Sequence, residues 1–336
     1  MTTTERNIHL GVLGASLALT VWVFGAQPRA AGPATRSDTR SPATERSPLS
    51  IVPPGSAFLF SADLRALARA PLGAHLAEAI GHTAGVSKLS QSCGFDPLAR
   101  LDQLALAAPS ANLAAYEELR DFGVVVSGRF SAEEILRCAS AAISARGGEM
   151  VRAKLGSFEW VRERRAGSGS IAAKDGLLIV SGGSYFRDLL GSAETTPRAG
   201  GPQVQDARHA ELRAALGPGP LIATWLLGEG WFERATGGEI NARLSPLSTL
   251  KTFGARIEVG HTAQLLVLLD CADSEGATRM SSLLGELSTS LKAIPLDPRL
   301  SGIAARIKVS QSGARLKLAL ELNEDDLAPV LEAFAP

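Results

Sequence analysis

The sequence contains few of the residues from which metal and redox sites are built. Its 336 residues include three cysteines and five histidines. The cysteines form no C-x-x-C pair and the histidines no H-x-H or H-x-x-x-H pair, which excludes the usual zinc-ligand spacings. We therefore expect no metal and no cofactor.

Charge of one sign is also missing, because 34 basic side chains balance 34 acidic ones. The basic residues form no run or stripe, so a nucleic-acid partner is not expected. Motifs that hold phosphates or activate a serine are absent as well: there is no Walker loop, no G-x-S-x-G, and no G-x-G-x-x-G opening a helix after a strand. A hydrophobic fraction of 45% is nevertheless typical of a packed globular protein.

The N-terminal region indicates attachment to a membrane. After a polar head at residues 1–7, residues 8–27 are interpreted as a transmembrane or signal segment, with an uncharged 18-residue run from Leu10 to Gln27. As a helix this run would extend roughly 27 Å, close to the thickness of a bilayer core. Residues 28–50 are rich in Pro, Ser, Thr and Arg and are predicted to be a disordered tether.

These features predict a cell-envelope protein with a membrane anchor and an exported body, or a secreted one if the segment is cleaved. The flanking charges favour the opposite topology, because one arginine precedes the segment and four follow it: Arg6 before, and Arg29, Arg36, Arg40 and Arg46 after. We retain export because segments close to an N-terminus commonly act as export signals.

The rest of the chain is predicted to contain two tandem copies of a β-α-β-β-α-β-β-α module, at residues 51–196 and 203–336. The short connections between strands favour antiparallel sheets with helices on one face, an α+β fold. The predicted first-copy elements are strands at 57–62, 101–107, 122–127, 157–162 and 176–181, and helices beginning at 64, 132 and 185. The helix at 132 is predicted to end near 145 and to start with a capping box between Ser131 and Glu134. The second-copy elements are strands at 221–227, 252–259, 263–269, 303–309 and 314–321, and helices at 231–236, along Met280 to Leu291, and at 325–334.

Two stretches, CGFDPL at 93–98 and DFGVVVSGRF at 121–130, resemble those of a group of uncharacterised myxobacterial envelope proteins. Those proteins share an N-terminal hydrophobic segment, a Pro/Ala-rich tether and a duplicated α+β body. The likeness covers about residues 51–333. It implies an architecture and no activity.

The cysteines suggest a disulfide. In an oxidising compartment Cys93, in a loop, and Cys138, in a predicted helix, could join, leaving Cys271 as the free thiol. The alternative is that all three are small buried apolar residues.

Three further patterns have simpler explanations than catalysis or binding. Ser248 and Lys251 match the S-x-x-K of serine acyl-enzymes but lack its companion motifs, so we regard the match as chance. The acidic groups at 133–134 and 324–326 start predicted helices, where negative charge is favoured. An aromatic group could line a groove, but it is more simply core: Trp225, Trp231 and Phe232.

The sequence thus predicts a membrane-tethered or secreted envelope protein with a non-enzymatic, protein-binding or structural role. Its partners would be the membrane, through residues 8–27, and another envelope protein. The alternative is a secreted or tethered hydrolase whose site is not recognisable from the sequence. A third possibility, a small-ligand carrier, requires an enclosed apolar cavity between the two copies.

Overall fold

The fold is taken from a computed structural model that describes most of the chain after residue 46. The described residues are 47–73, 93, 100–109, 121–145, 147–164, 169–195, 206–236, 242–293, 302–303 and 305–326. The predicted head and hydrophobic segment and nearly all of the tether lie outside these ranges, as does most of the helix predicted at 325–334.

The described part contains strands β1 to β12 and six α-helices. The strands are β1 Phe58–Asp63, β2 Leu101–Ala108, β3 Gly123–Gly128, β4 Met150–Leu155, β5 Phe158–Glu163, β6 Ser170–Lys174, β7 Leu177–Ser181, β8 Leu221–Leu226, β9 Leu250–Val259, β10 Ala263–Cys271, β11 Lys308–Ser312 and β12 Arg315–Leu322. The helices are α1 Leu64–Arg69, α2 Ala132–Ala145, α3 Tyr185–Thr195, α4 Ala207–Leu216, α5 Trp231–Ala235 and α6 Ser274–Ala293. Two 3-10 helices are also described, Pro48–Ile51 and Ala242–Thr249, and further helical residues lie at 71–73, 93, 302–303, 305 and 324–326.

All twelve strands belong to one sheet, in the order β11-β12-β10-β9-β8-β1-β2-β3-β7-β6-β5-β4. Every neighbouring pair is antiparallel. The β1–β8 pair lies near the middle of the sheet, with Phe60 opposite Ala223, and we call it the central junction. The predicted α+β class with antiparallel strands is therefore confirmed.

The prediction that helices cover one face is wrong, because they pack on both. On one face, α3 packs on a cluster containing Leu59, Val125 and Ile179, and α4 packs on Ile222 and Leu268. On the opposite face, α1 packs near Phe60, α2 near Ala173, and α6 near Leu269. Strands such as β3 and β7 are apolar at nearly every position instead of alternating, which is the pattern of a sheet buried on both faces.

On the α2 and α6 face, a single row of side chains crosses the whole sheet. Directly opposite residues in adjacent strands project from the same face, so the register defines this row residue by residue. The row runs from β11 to β4 through Val309, Leu318, Val267, Ala255, Ala223, Phe60, Leu106, Val124, Val180, Ile171, Val161 and Arg152. It is apolar on eleven strands and ends in a cation on β4. We call it the cross-sheet row.

Most predicted elements are present with bounds shifted by a few residues. The helix predicted at 132–145 has those bounds, because its capping box forms: the Glu134 amide donates to Ser131 Oγ at 3.2 Å, and the Ser131 amide donates to Glu134 Oε2 at 2.9 Å. Five of the described elements were not predicted: β4, β6, α4 and the two 3-10 helices. The 3-10 helix Pro48–Ile51 corrects the predicted disordered tether, because its residues 48–50 are ordered and Pro48 is buried. The strand predicted at 303–309 is wrong, because residues 302–303 are helical and β11 begins at Lys308.

Candidate functional site

A cleft of about 380 Å³ lies where β1 begins and β8 ends, beside the central junction of the sheet. Its walls come from the segment before β1, the start of α4, the turn after β8 and α5. The lining residues are Gly55, Ser56, Ala57, Pro109, Asp206, Arg208, Leu226, Leu227, Gly228 and Arg234. It therefore collects segments that are far apart in the sequence, as candidate sites commonly do.

Ser56, in the wall of this cleft, belongs to a buried chain of hydrogen bonds. Its carbonyl oxygen lies 2.8 Å from His209 Nε2, and His209 Nδ1 lies 2.8 Å from Thr224 Oγ1. Its hydroxyl lies 2.6 Å from the Tyr185 hydroxyl and donates to the Pro53 carbonyl at 3.0 Å. His209 and Thr224 are almost fully buried. The junction thus brings together serine, histidine, threonine and tyrosine.

Two carbonyl groups determine the direction of every bond in this chain, because a carbonyl can only accept. The Ser56 carbonyl requires a proton on His209 Nε2, so in the neutral ring Nδ1 accepts from the Thr224 hydroxyl. The Pro53 carbonyl accepts a hydrogen bond from the Ser56 hydroxyl, so the Tyr185 hydroxyl is the donor to Ser56 Oγ. In this series of hydrogen bonds, each hydroxyl proton and the ring proton of His209 therefore has a protein acceptor.

Burial stabilises the neutral forms of both titratable groups. It lowers the pKa of His209 and raises the pKa of Tyr185 to about 12. The histidine contacts the carbonyl of Ser56 and not its hydroxyl, so it cannot remove the hydroxyl proton as the histidine of a catalytic triad does. The arrangement resembles a serine–histidine site in composition but holds the backbone together.

The cleft wall carries one ion pair and one further cation, Arg234. Arg208 forms a bidentate pair with Asp206, at 3.1 and 2.8 Å, and hydrogen bonds from Arg208 lower the pKa of Asp206 to about 2. Asp206 is also the N-cap of α4 and accepts from the Arg208 amide. Arg234 Nη1 donates to the Glu229 carbonyl at 2.6 Å. A charged lining of this kind differs from the enclosed apolar cavity that a small-ligand carrier requires.

Cys93 and Cys138 are joined by a disulfide in the structure, and Cys271 is a buried free cysteine. The bond attaches Cys93 to α2, and Cys93 is helical, so its predicted position in a loop is wrong. Burial raises the pKa of the Cys271 thiol, which disfavours its reactive thiolate form.

Ser248 and Lys251 do not form a site. Ser248 lies in a 3-10 helix, is exposed, and donates to the Ser245 carbonyl at 2.7 Å. Lys251 lies in β9 and is also exposed. Neither residue lines the cleft at the central junction.

The predicted acidic groups lie at helix N-termini, where they form capping hydrogen bonds and ion pairs with arginines. Glu133 is exposed and pairs with Arg137, while hydrogen bonds from Ser131 and Arg100 lower the pKa of Glu134 to about 2. In the C-terminal group, Asp326 exchanges hydrogen bonds with Asn323 and pairs with Arg306, which lowers its pKa. Among the described residues, no three His, Cys, Asp or Glu side chains converge as metal ligands.

The aromatic group belongs to the core. Trp231 donates to the Leu250 carbonyl and packs edge-to-face on Phe232, which is buried. Trp225 packs in the same way on Phe58 across the β1–β8 junction. These residues therefore do not line a groove.

The buried chain of hydrogen bonds at the central junction was not predicted. His209 had no histidine partner in the sequence, and its hydrogen-bonding partners are 15 and 153 residues away. No local spacing could have connected these residues, because their proximity depends on the pairing of β1 with β8.

None of the described helices is long and apolar enough to cross a membrane. No protein-family model matches the chain, and a comparison with curated proteins gave no match. Two of the similar solved structures are crystal forms III and I of TP0453, both 11% identical to this chain. Their TM-scores are 0.49 and 0.43, and the alignments cover 86% and 87% of this chain and 98% of theirs.

Proposed function

We propose that this chain is a membrane-tethered envelope protein with a non-enzymatic, protein-binding or structural role. The membrane attachment rests on the uncharged run at residues 10–27 and on the polar tether that follows it. The resemblance to myxobacterial envelope proteins supports the same placement. The body would be exported, and the proposal extends to a secreted form if the segment is cleaved.

The proposal includes an internal duplication. From the central junction outward, one half of the sheet runs β1-β2-β3-β7-β6 and the other runs β8-β9-β10-β12-β11. In both halves a helix separates the third strand from the final hairpin: α2 follows β3, and α6 follows β10. The β4–β5 hairpin would then be an addition to the first half, which a duplicated module accommodates at the sheet edge.

The observation that carries the protein-binding role is the position of the exposed apolar side chains. Among the described residues, five large apolar side chains are exposed, and they lie toward the two ends of the sheet. Met150 and Leu155 are on β4; Val309 is on β11 and Ile307 directly precedes it; Leu287 is on α6, which packs on β10 and β12. Exposed apolar side chains beside unpaired strand edges are typical of surfaces that other chains cover.

Hydrogen exchange tests this role. The full chain is compared in membranes of its host and after purification into detergent. We expect the backbone amides of an edge strand to exchange more slowly in the membranes, with unchanged exchange at the central strands β1 and β8 as the internal control. Equal exchange of both edges in the two preparations would contradict a protein-binding role.

A further inference from the structure

We propose that the partner at one edge is a second copy of this chain, which pairs with β11 in antiparallel orientation about a two-fold axis through Val309. This inference rests on the proposed protein-binding role and names the partner and the surface. It follows from the backbone of β11, from the cross-sheet row and from the charges on the two edges.

The backbone of β11 has groups that point away from the sheet. A two-residue loop, Gly313 and Ala314, joins β11 to β12, so the flanking pair Ser312 and Arg315 exchanges both backbone hydrogen bonds. Alternate residues then repeat this arrangement, so Ser310 and Lys308 also bond to β12. Val309 and Gln311 direct their N–H and C=O groups outward, and no strand among the described residues lies on that side of β11.

The cross-sheet row ends at this edge in an apolar residue. Val309 lies opposite Leu318 and is 41% exposed, although it continues a row of ten further apolar side chains. Ile307, two residues earlier, is 39% exposed. An apolar row that stops at an open edge is completed by one more strand carrying an apolar side chain in the same register.

The opposite edge is protected by charge. By the same alternation about the Gly156–Ser157 loop, the outward-facing residues of β4 are Met150, Arg152 and Lys154. Two of these are cations, and Arg152 terminates the cross-sheet row. Charged side chains on an edge strand are a common barrier to pairing; β11 carries one, Lys308, and none among the residues whose backbone groups face outward.

A second copy extends the cross-sheet row with its own Val309. In the two-fold register, Val309 faces Val309 of the other copy, Lys308 faces Ser310, and Ile307 faces Gln311. No like charges are directly opposite. The outward N–H and C=O of Val309 then bond to those of the same residue in the second copy, which makes this a hydrogen-bonded pair, and one apolar row runs through both sheets.

Cysteine cross-linking of the full chain in its host membranes tests the pairing. Residues in a hydrogen-bonded antiparallel pair have Cα atoms about 5.5 Å apart, within the usual disulfide range. We expect the V309C chain to give, under mild oxidation, a covalent species of twice the monomer mass on a non-reducing gel. The wild-type chain, with its native cysteines, provides the background.

Two matched control variants test whether cross-linking is specific to residue 309. I307C changes a side chain of similar exposure on the same edge, but in the two-fold register residues 307 of the two copies are four positions apart, so no bridge is expected. L155C changes an exposed residue on the protected edge, and it should also stay monomeric. Equal cross-linking of all three variants would overturn the proposal as random collision, and cross-linking of I307C alone would overturn the register.

The remaining outcomes separate this inference from the proposed function. An adduct of V309C with a protein of different mass overturns self-pairing but leaves a protein-binding role in place. Absence of any V309C adduct, together with slow exchange at the β11 edge in host membranes, also overturns self-pairing alone. Absence of both the adduct and the protection overturns both.

Discussion

Replacing His209 with alanine should destabilise the whole sheet, because this side chain connects the segment before β1 to β8. His209 is 1% exposed, and its two ring nitrogens each make a 2.8 Å hydrogen bond. The substitution leaves the Thr224 hydroxyl and the Ser56 carbonyl without this partner. It also removes a buried ring from the junction.

The cost can be estimated from these losses. Each buried polar group left without a partner costs about 1–3 kcal/mol, and the cavity adds to this. We expect the H209A variant to lose about 3–5 kcal/mol of unfolding free energy, a large fraction of the total for a typical protein. Thr224→Val keeps the volume and removes one hydrogen bond, so about 1–3 kcal/mol is expected. The double variant should cost less than the sum, because valine has no hydroxyl to leave unpaired.

The assay is urea unfolding of the full chain in detergent micelles, followed by tryptophan fluorescence. His261→Ala is the matched control, because His261 is exposed and its replacement should change the unfolding free energy by no more than about 0.5 kcal/mol. If H209A unfolds at the same urea concentration as H261A, the buried chain does not stabilise the junction and the reasoning is refuted.

The H209A variant also tests how the contribution of His209 to stability depends on pH. Burial lowers the pKa of His209 in the folded state, so the unfolded chain binds this proton more readily than the folded chain. The neighbouring charges are Asp206, which opposes this effect, and Arg208 and Arg213, which add to it. The stabilisation from the buried neutral His209 is fully present above the ordinary histidine pKa of about 6.5. As the pH falls below that value, the unfolding free energy decreases by at most about 1.4 kcal/mol per pH unit. The difference between wild type and H209A should therefore shrink from pH 7.5 to pH 5, and a constant difference would contradict this.

Two further predictions test other parts of the fold. Mass-tagged maleimide should label one thiol, Cys271, in the denatured, non-reduced chain from its host; three labelled thiols would contradict the Cys93–Cys138 pairing and export to an oxidising compartment. Gly123→Ala should cost about 1–3 kcal/mol, because its Cβ would meet the side chains of α3, whereas Gly285→Ala on α6 has free space and should stabilise by about 0.4–1 kcal/mol. Urea unfolding measures both, and equal effects would refute the packing of α3 on β3.

The elements that the sequence predicts well are those with strong local signals. The capping box at Ser131 placed the start of α2. The apolar stripe of α6 packs on the sheet at Met280 and Leu283, but the expectation that the same stripe is core is wrong at Leu287, which is 46% exposed. Helix α4 was missed because only three of its ten residues are buried: His209, Leu212 and Leu216. A helix with so narrow an apolar stripe, one member of which is a histidine, gives little periodicity to recognise.

The single sheet and the buried chain could not be predicted, for a different reason. Both depend on pairing β1 with β8, and these strands are separated by more than one hundred residues. Near-continuous apolar strands such as β7 indicate burial on two faces, and they could have corrected the expectation of helices on one face. Nothing local, however, specifies which strand of one half meets which strand of the other.

The central junction also shows what distinguishes a permanent strand pairing from the reversible one proposed at β11. At both places the cross-sheet row passes between two sets of strands: from Phe60 on β1 to Ala223 on β8 near the middle of the sheet, and from Val309 to Val309 of the second copy in the proposed pairing. The β1–β8 pairing has side-chain hydrogen bonds in addition to those between the strand backbones. They are the hydrogen bonds of His209 and the one that Arg213 Nη2 donates to Ser61 Oγ at 2.8 Å. The proposed β11 pairing offers a short ladder and small apolar side chains without such side-chain hydrogen bonds. We therefore expect it to form and dissociate with the concentration of the chain, while the β1–β8 pairing opens only when the chain unfolds.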